Sequence, residues 1–226
     1  MLELKKITAI TAIVAAMTIG GGLSDDAHAA TITVSKTFAG ENDCSGFFGT
    51  GFGACDIFVN DDTGKKIKLS PVIAKYDIEK DGLETEFNKA LYPTIDGTEF
   101  SFDTSETGSW SYTPDIGDPG VKYWVAKGGN AFNLFWTVNE AATQTGGACD
   151  GGNLYTLACL SEALSVQGGL YATPINPKNG KNSGLSHLTF YNSEPPVVIP
   201  VPAAGVLLIT ALGGLGFAAR RRRKSS

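Results

Sequence analysis

The sequence predicts an all-β domain, a two-sheet antiparallel β-sandwich of jelly-roll kind, and three observations lead there. Between Thr31 and Asn192 the chain is a series of short runs of alternating polarity separated by Gly, Asn, Asp and Pro, the pattern of antiparallel strands joined by turns. Aromatic residues recur at every second position in several of these runs, which gives each strand one apolar face that must pack on something. Helical periodicity is weak throughout the same span. A domain of this length with many strands and few helices is most economically built as two packed sheets, with a single closed barrel as the alternative.

Taken in order, the strands are expected at ITVSKTF (32–38), CDIFVN (55–60) and KKIKLSPVIAKYD (65–77). The next window, GLETEFNKALYP (82–93), fits two helical turns ending at Pro93, and a strand or loop nearly as well. EFSFDT (99–104) and GSWSYTP (108–114) place Phe100, Phe102, Trp110 and Tyr112 at alternate positions. VKYWVAK (121–127) and AFNLFWTV (131–138) flank Gly128-Gly129-Asn130, a turn able to supply positive φ, and so form a hairpin. In the first of these strands Trp124 shares a face with Lys122 and Ala126, opposite Val121, Tyr123 and Val125. Alternation alone leaves open which set is buried. A pair of strands around ALSVQGGLYATPI (163–175) and a last one at LSHLTFYN (185–192) complete the set. In the last strand His187, Thr189 and Tyr191 point one way and Ser186, Leu188 and Phe190 the other.

The two ends of the chain read differently. Lys5 and Lys6 precede an apolar stretch from Ile7 to about Leu23, followed by Ala27-His28-Ala29. A basic start, an apolar run and an A-x-A site in this order predict a signal peptide over 1–29, cleaved after Ala29 to leave Ala30 first. Export implies an oxidising compartment, where Cys44, Cys55, Cys149 and Cys159 are expected to form two disulfides. Three pairings exist. Cys44–Cys55 and Cys149–Cys159 are preferred because each pair is close in sequence and flanks a Gly-rich loop, and neither has the C-x2-C spacing of a zinc site. Residues 30–200 hold 11 Lys, no Arg and 20 Asp plus Glu, a net charge of −9. Such a domain repels phosphate backbones, so nucleic acid is excluded as a partner.

At the other end, a Pro-rich linker (193–200) leads to 19 uncharged residues, Val201 to Ala219, and then Arg220, Arg221, Arg222, Arg223 and Lys224. As a helix the uncharged stretch spans roughly 28 Å, the thickness of a bilayer core. The basic cluster would stay cytoplasmic and everything before it outside, in agreement with the signal peptide. A simple anchor is one reading, and Gly205, Gly213, Gly214 and Gly216 could form a helix-packing surface. The entry EPPVVIPVPAAG points elsewhere. Ile199-Pro200-Val201-Pro202-Ala203, one transmembrane helix and a terminal Arg cluster together resemble the PEP-CTERM class of sorting signals in its VPxPA variant, with Ile and Val where that variant usually has Val and Leu. The resemblance covers 199–226. It implies recognition by an exosortase, a membrane-embedded cysteine transpeptidase that processes proteins bound for the cell surface or exopolysaccharide matrix of Gram-negative bacteria. The domain itself is similar to many ectodomains of that class, through a K-x-G-x-x-F hairpin (Lys127, Gly128, Gly129, Asn130, Phe132) and a closing LSH-x-x-x-Y strand (Leu185, Ser186, His187, Tyr191). No catalytic role is implied for these residues.

Catalytic chemistry has little support. Only His187 remains after signal removal, and a strand histidine bonded to its neighbours is the expected role. No G-x-S-x-G elbow occurs. Glu99, Asp103 and Glu106 form no acid pair that the sequence can identify. The acidic loops NDDTG (60–64) and DIGDPG (115–120) offer oxygen ligands to Ca²⁺ without EF-hand spacing, and plain turns are the simpler expectation, so no cofactor is assigned. Trp110, Trp124 and Trp136 could stack on sugars if exposed, although strand aromatics are mostly core. The expectation is therefore a non-enzymatic exported protein, membrane-anchored until an exosortase acts and then at the surface or in the matrix, working by adhesion or exopolysaccharide association. The alternative is a secreted or anchored jelly-roll hydrolase or carbohydrate-binding protein acting on matrix polysaccharide.

Overall fold

The computed structural model describes residues 30–61 and 63–193. The expected signal peptide and transmembrane helix lie outside the described residues, among which no helix is long and apolar enough to cross a membrane. The strands are β1 (Thr31–Ala39), β2 (Asp56–Asn60), β3 (Lys66–Glu79), β4 (Gly82–Phe87), β5 (Phe100–Phe102), β6 (Thr107–Tyr112), β7 (Val121–Gly128), β8 (Ala131–Asn139), β9 (Gly168–Ala172) and β10 (Leu185–Asn192). Among the described residues one short helix, α1 (Leu157–Ser161), and two 3-10 turns at Phe52–Ala54 and Glu140–Thr143 complete the regular structure.

All pairings are antiparallel. The large sheet runs β1-β8-β7-β10-β3-β2, with β4 also on β3, and a smaller sheet runs β5-β6-β9. The unusually long β3 carries both β2 and β4 on one edge: the β2 ladder ends at Pro71, and the β4 ladder begins at Ala74. Its opposite edge pairs with β10. The last strand in sequence thus lies inside the sheet, between β7 and β3.

The 82–93 window is a strand followed by a loop, not a helix. Lys80 and Asp81 turn the chain so that Gly82–Phe87 pairs back on Ala74–Glu79. Two turns of isolated helix are marginal in water, whereas the free outer edge of β3 offers a ladder already half built. The expected strand pair at 163–175 is one strand: Leu164 and Val166 bridge to Thr137 and Val121 of the large sheet before Gly168–Ala172 joins β6.

Both faces of the large sheet are buried at its centre, along β7, β8 and β10. One carries Val125, Leu134, Trp136 and Tyr191 under the loops held by the cysteines. The other carries Trp124, Ala126, Leu188 and Phe190, packed on Phe100, Trp110, Tyr112 and Tyr171 of the small sheet. The choice left open along β7 therefore has a third answer, in which Tyr123 and Val125 face one core and Trp124 and Ala126 the other. A register shift opposite Tyr191 and Asn192 passes over Lys122, so Val121 joins the Trp124 face against the simple alternation. All three tryptophans are core residues.

The two layers meet closely at Gly169. A Cβ there would lie 2.7 Å from Cζ2 of Trp124 and 3.0 Å from Nε1 of Trp110, and Trp124 Nε1 donates to the Leu170 carbonyl at 3.0 Å. Gly169→Ala is expected to lower unfolding free energy by about 1–3 kcal/mol through overpacking. Gly152→Ala, where a Cβ meets open space, leaves it unchanged. Urea titration of both variants checks this, and equal midpoints would contradict the packing described.

Candidate functional site

The alternation of β10 places His187, Thr189 and Tyr191 on the face that looks toward residues 42–55. This loop is closed by a Cys44–Cys55 disulfide with Cα atoms 4.8 Å apart, and the second bridge joins Cys149 to Cys159 at 4.7 Å. Both are the preferred pairings, and closing loops of this length contributes about 3 kcal/mol each in a chain-entropy view. The bridge turns Asp43, its sequence neighbour, inward until the carboxylate is fully buried (0% exposed).

Three side chains of β10 converge on that carboxylate. His187 Nε2 lies 2.8 Å from Asp43 Oδ1, the Thr189 hydroxyl donates to Oδ2 at 2.7 Å, and the Tyr191 hydroxyl donates to Oδ2 at 3.5 Å. The Tyr191 oxygen also sits 3.3 Å from Sγ of Cys55. On the other side of the imidazole, Nδ1 is 3.4 Å from Oδ1 of Asp77, the register partner of His187 on β3. Lys75 in turn bonds Asp77 at 2.5 Å and lies 3.8 Å from Glu86 of β4. Three carboxylates, the imidazole and one ammonium thus form a chain of contacts that runs from the 42–55 loop through β10 and β3 to β4.

Burial pushes the Asp43 carboxyl up, but the His187 bond and charge, with the Thr189 hydroxyl and the Cys44 amide, outweigh it and hold the group at about 2. For His187 burial favours the neutral ring, and the bonds to Asp43 and Asp77 overcome this and raise its pKa. With Nε2 bonded to Asp43, Nδ1 facing Asp77 and only 3% of the side chain exposed, the ring is enclosed between two carboxylates. Its role is to clasp the Cys44–Cys55 loop to the centre of the sheet. Sequence reading placed His187 correctly as a bonded strand residue but did not identify Asp43 or Asp77. The one available signal was that a buried strand histidine requires a carboxylate, and 20 were on offer.

A second cluster joins two regions considered separately in the sequence. Ligand oxygens of Glu99, Asp115 and Asp118 lie within 4.8 Å of one another. Glu99, 5% exposed, accepts the amides of Asp96 and Gly97 at 2.9 and 2.7 Å, and Asp118 Oδ2 accepts the Asp115 amide at 2.8 Å. These are the described residues that could hold a hard cation. Their hydrogen bonds are also those of a folded turn, which Tyr112 closes by donating to the Pro119 carbonyl at 2.7 Å. Asp103 is elsewhere, bonded to Ser109 in the β5–β6 turn. Asp61 in the 60–64 loop accepts from Thr63 and Lys65, an ordinary Asx turn. Two open depressions of about 600 Å³ flank Tyr155 and the 174–178 loop.

Ala27, Ala29, Ile199 to Ala203 and Arg220 to Lys224 lie outside the described residues. No known protein family, curated protein or solved structure matches the chain.

The clasp has a pH signature. His187, with its raised pKa, contributes stability that is complete below its unfolded value near 6.5 and is lost as pH rises through the folded value. Asp43, depressed to about 2, contributes stability present above about 3.9 and lost as pH falls toward its folded value. Urea stability should therefore plateau between about pH 4 and 6.5 and decline above. Asp43→Asn should cost about 3 kcal/mol at pH 6, since it removes the fully buried partner of His187 Nε2 and leaves the ring only Asp77. A profile flat from pH 5 to 9, together with an unaltered midpoint in the variant, would refute the clasp.

Proposed function

We propose that the protein is an exported, non-enzymatic component of the cell surface or extracellular matrix of a Gram-negative bacterium. It is delivered through its C-terminal tail to an exosortase-type transpeptidase and acts by adhesion or association with exopolysaccharide. The observation that carries the proposal is the sequence of parts in the tail: Ile199-Pro200-Val201-Pro202-Ala203, then the uncharged span to Ala219, then Arg220 to Lys224. A sorting signal needs a site for the enzyme outside the bilayer, a span and a cytoplasmic stop, and these three parts stand in that order.

The folded domain is compatible with that address. Two disulfides suit an oxidising compartment. The domain ends at β10, and five residues lie between Ser193 and Ile199, so the six steps reach at most about 22 Å. Before processing, the domain would therefore stand close above the membrane. Its two antiparallel sheets, with the centre of the large one buried on both faces, suit a durable scaffold. A non-enzymatic reading is supported by the engagement of His187 on both nitrogens, and the proposal invokes no cofactor and no nucleic acid.

Intact mass of the protein recovered from the surface or matrix fraction of its native host tests the proposal. The expected species begins at Ala30 and ends near Pro202 or Ala203, with or without an added group. A mass that retains Ala203 to Ser226 would mean a permanent anchor and would overturn the exosortase assignment.

A further inference from the structure

We propose that β1 is a homodimerisation edge, joining two copies of this chain through an antiparallel β1–β1 pair about a two-fold axis at Ser35. This inference is independent of the tail and of its processing. Its basis is the contrast between β1 and the other strand edges. An exposed row of unpaired N–H and C=O groups is a template for another strand, and proteins that stay monomeric blunt such edges with charge, proline, bulges or shortness. The β2 strand is short, has a register shift between Ile57 and Phe58, and its Phe58 carbonyl accepts the Tyr155 hydroxyl. The β4 strand carries Glu84 and Glu86, and β5 and β9 have three and five residues. By contrast, β1 has nine residues in unbroken register with β8, no proline, no bulge, no acid and a single charge at Lys36. In a domain of net charge −9, it is a stretch where two copies can approach without carboxylates meeting.

The geometry is self-complementary. Glu140 N–H donates to the Ala30 carbonyl at 2.7 Å, and Gly40 N–H donates to the Asn130 carbonyl at 2.8 Å, at the two ends of the β1–β8 register. Hydrogen-bonded and non-hydrogen-bonded pairs alternate along an antiparallel ladder, so the even-numbered residues of β1 bond β8. Thr31, Thr33, Ser35, Thr37 and Ala39 then direct their backbone groups outward. Pairing Ser35 with its own copy matches Thr33 to Thr37 and Thr31 to Ala39, so every outward residue meets an outward residue, for about ten new hydrogen bonds. The intervening positions set Ile32, 42% exposed, against Phe38, and Val34 against Lys36. Apolar and Thr–Thr cross-strand pairs are favourable, and each lysine stands opposite Val34 and only diagonal to the other lysine. The result is one continuous sheet through both copies.

The test uses the full chain in its native host. Ser35→Cys puts two thiols on the axis, in a hydrogen-bonded pair with Cα atoms about 5.5 Å apart, which a disulfide can bridge. Lys36→Cys puts the thiols out of register. Non-reducing electrophoresis should show Ser35→Cys largely as a dimer that reduction dissolves, at least tenfold above Lys36→Cys. As a second measurement, Ser35→Pro removes an outward N–H while leaving the bonds to β8, so by sedimentation it should weaken dimerisation at least tenfold, with an unchanged unfolding midpoint at concentrations where both proteins are monomeric. Equal cross-linking of the two cysteine variants, or monomeric wild-type protein at all concentrations, would overturn the proposal.

Discussion

The fold depends on the placement of β10. This strand is the last to be synthesised, yet it lies inside the large sheet, bonded to β7 on one side and β3 on the other. Its two faces serve two cores. Leu188 and Phe190 pack toward the small sheet, while His187, Thr189 and Tyr191 reach Asp43 beneath the Cys44–Cys55 bridge. Without β10, β7 and β3 have no common partner, the loop at 42–55 loses its anchor, and the small sheet loses the Phe190 ring that packs tilted on Phe100 and edge-on to Trp110. Contacts separated by 144 residues in sequence must form together, so the domain closes only when the chain up to Asn192 is available.

That constraint also links the fold to the proposed address. The chain leaves the sheet at Ser193, whose amide donates to the Gly120 carbonyl, and enters the Pro-rich linker at once. A buried ion cluster at such a place is costly in desolvation and repays it only when every group is satisfied. Here the imidazole, both carboxylates and the Thr189 hydroxyl are all paired. The cluster therefore favours one seating of β10 over a strand slipped by one residue, in which Leu188 and Phe190 would face Asp43.

Strand positions were legible because β7, β8 and β10 alternate or run apolar between clear turns, and Gly129 takes positive φ where the hairpin requires it. The cysteine pairs were legible from their spacing. What escaped the sequence was non-local. The tendency of Gly82–Phe87 to form a strand is decided by the free edge of β3, and the burial of both faces of β7 is decided by the small sheet and the loops that cover it. Asp43 looks like any other acid in the chain until the adjacent bridge turns it inward. The helix α1 is too short for periodicity to reveal, and only its Thr156 cap, accepting the Cys159 amide, marks its start.

Hydrogen exchange on β10 tests most directly whether that strand and the Cys44–Cys55 loop are one unit. Amides of residues 187–191 would be compared between the native protein and a variant with Cys44 and Cys55 both replaced by alanine. If the loop and the strand form a single cooperative unit, protection of β10 falls in step with that of residues 42–54. Full retention of β10 protection while residues 42–54 exchange freely would contradict the dependence of the fold on the clasp.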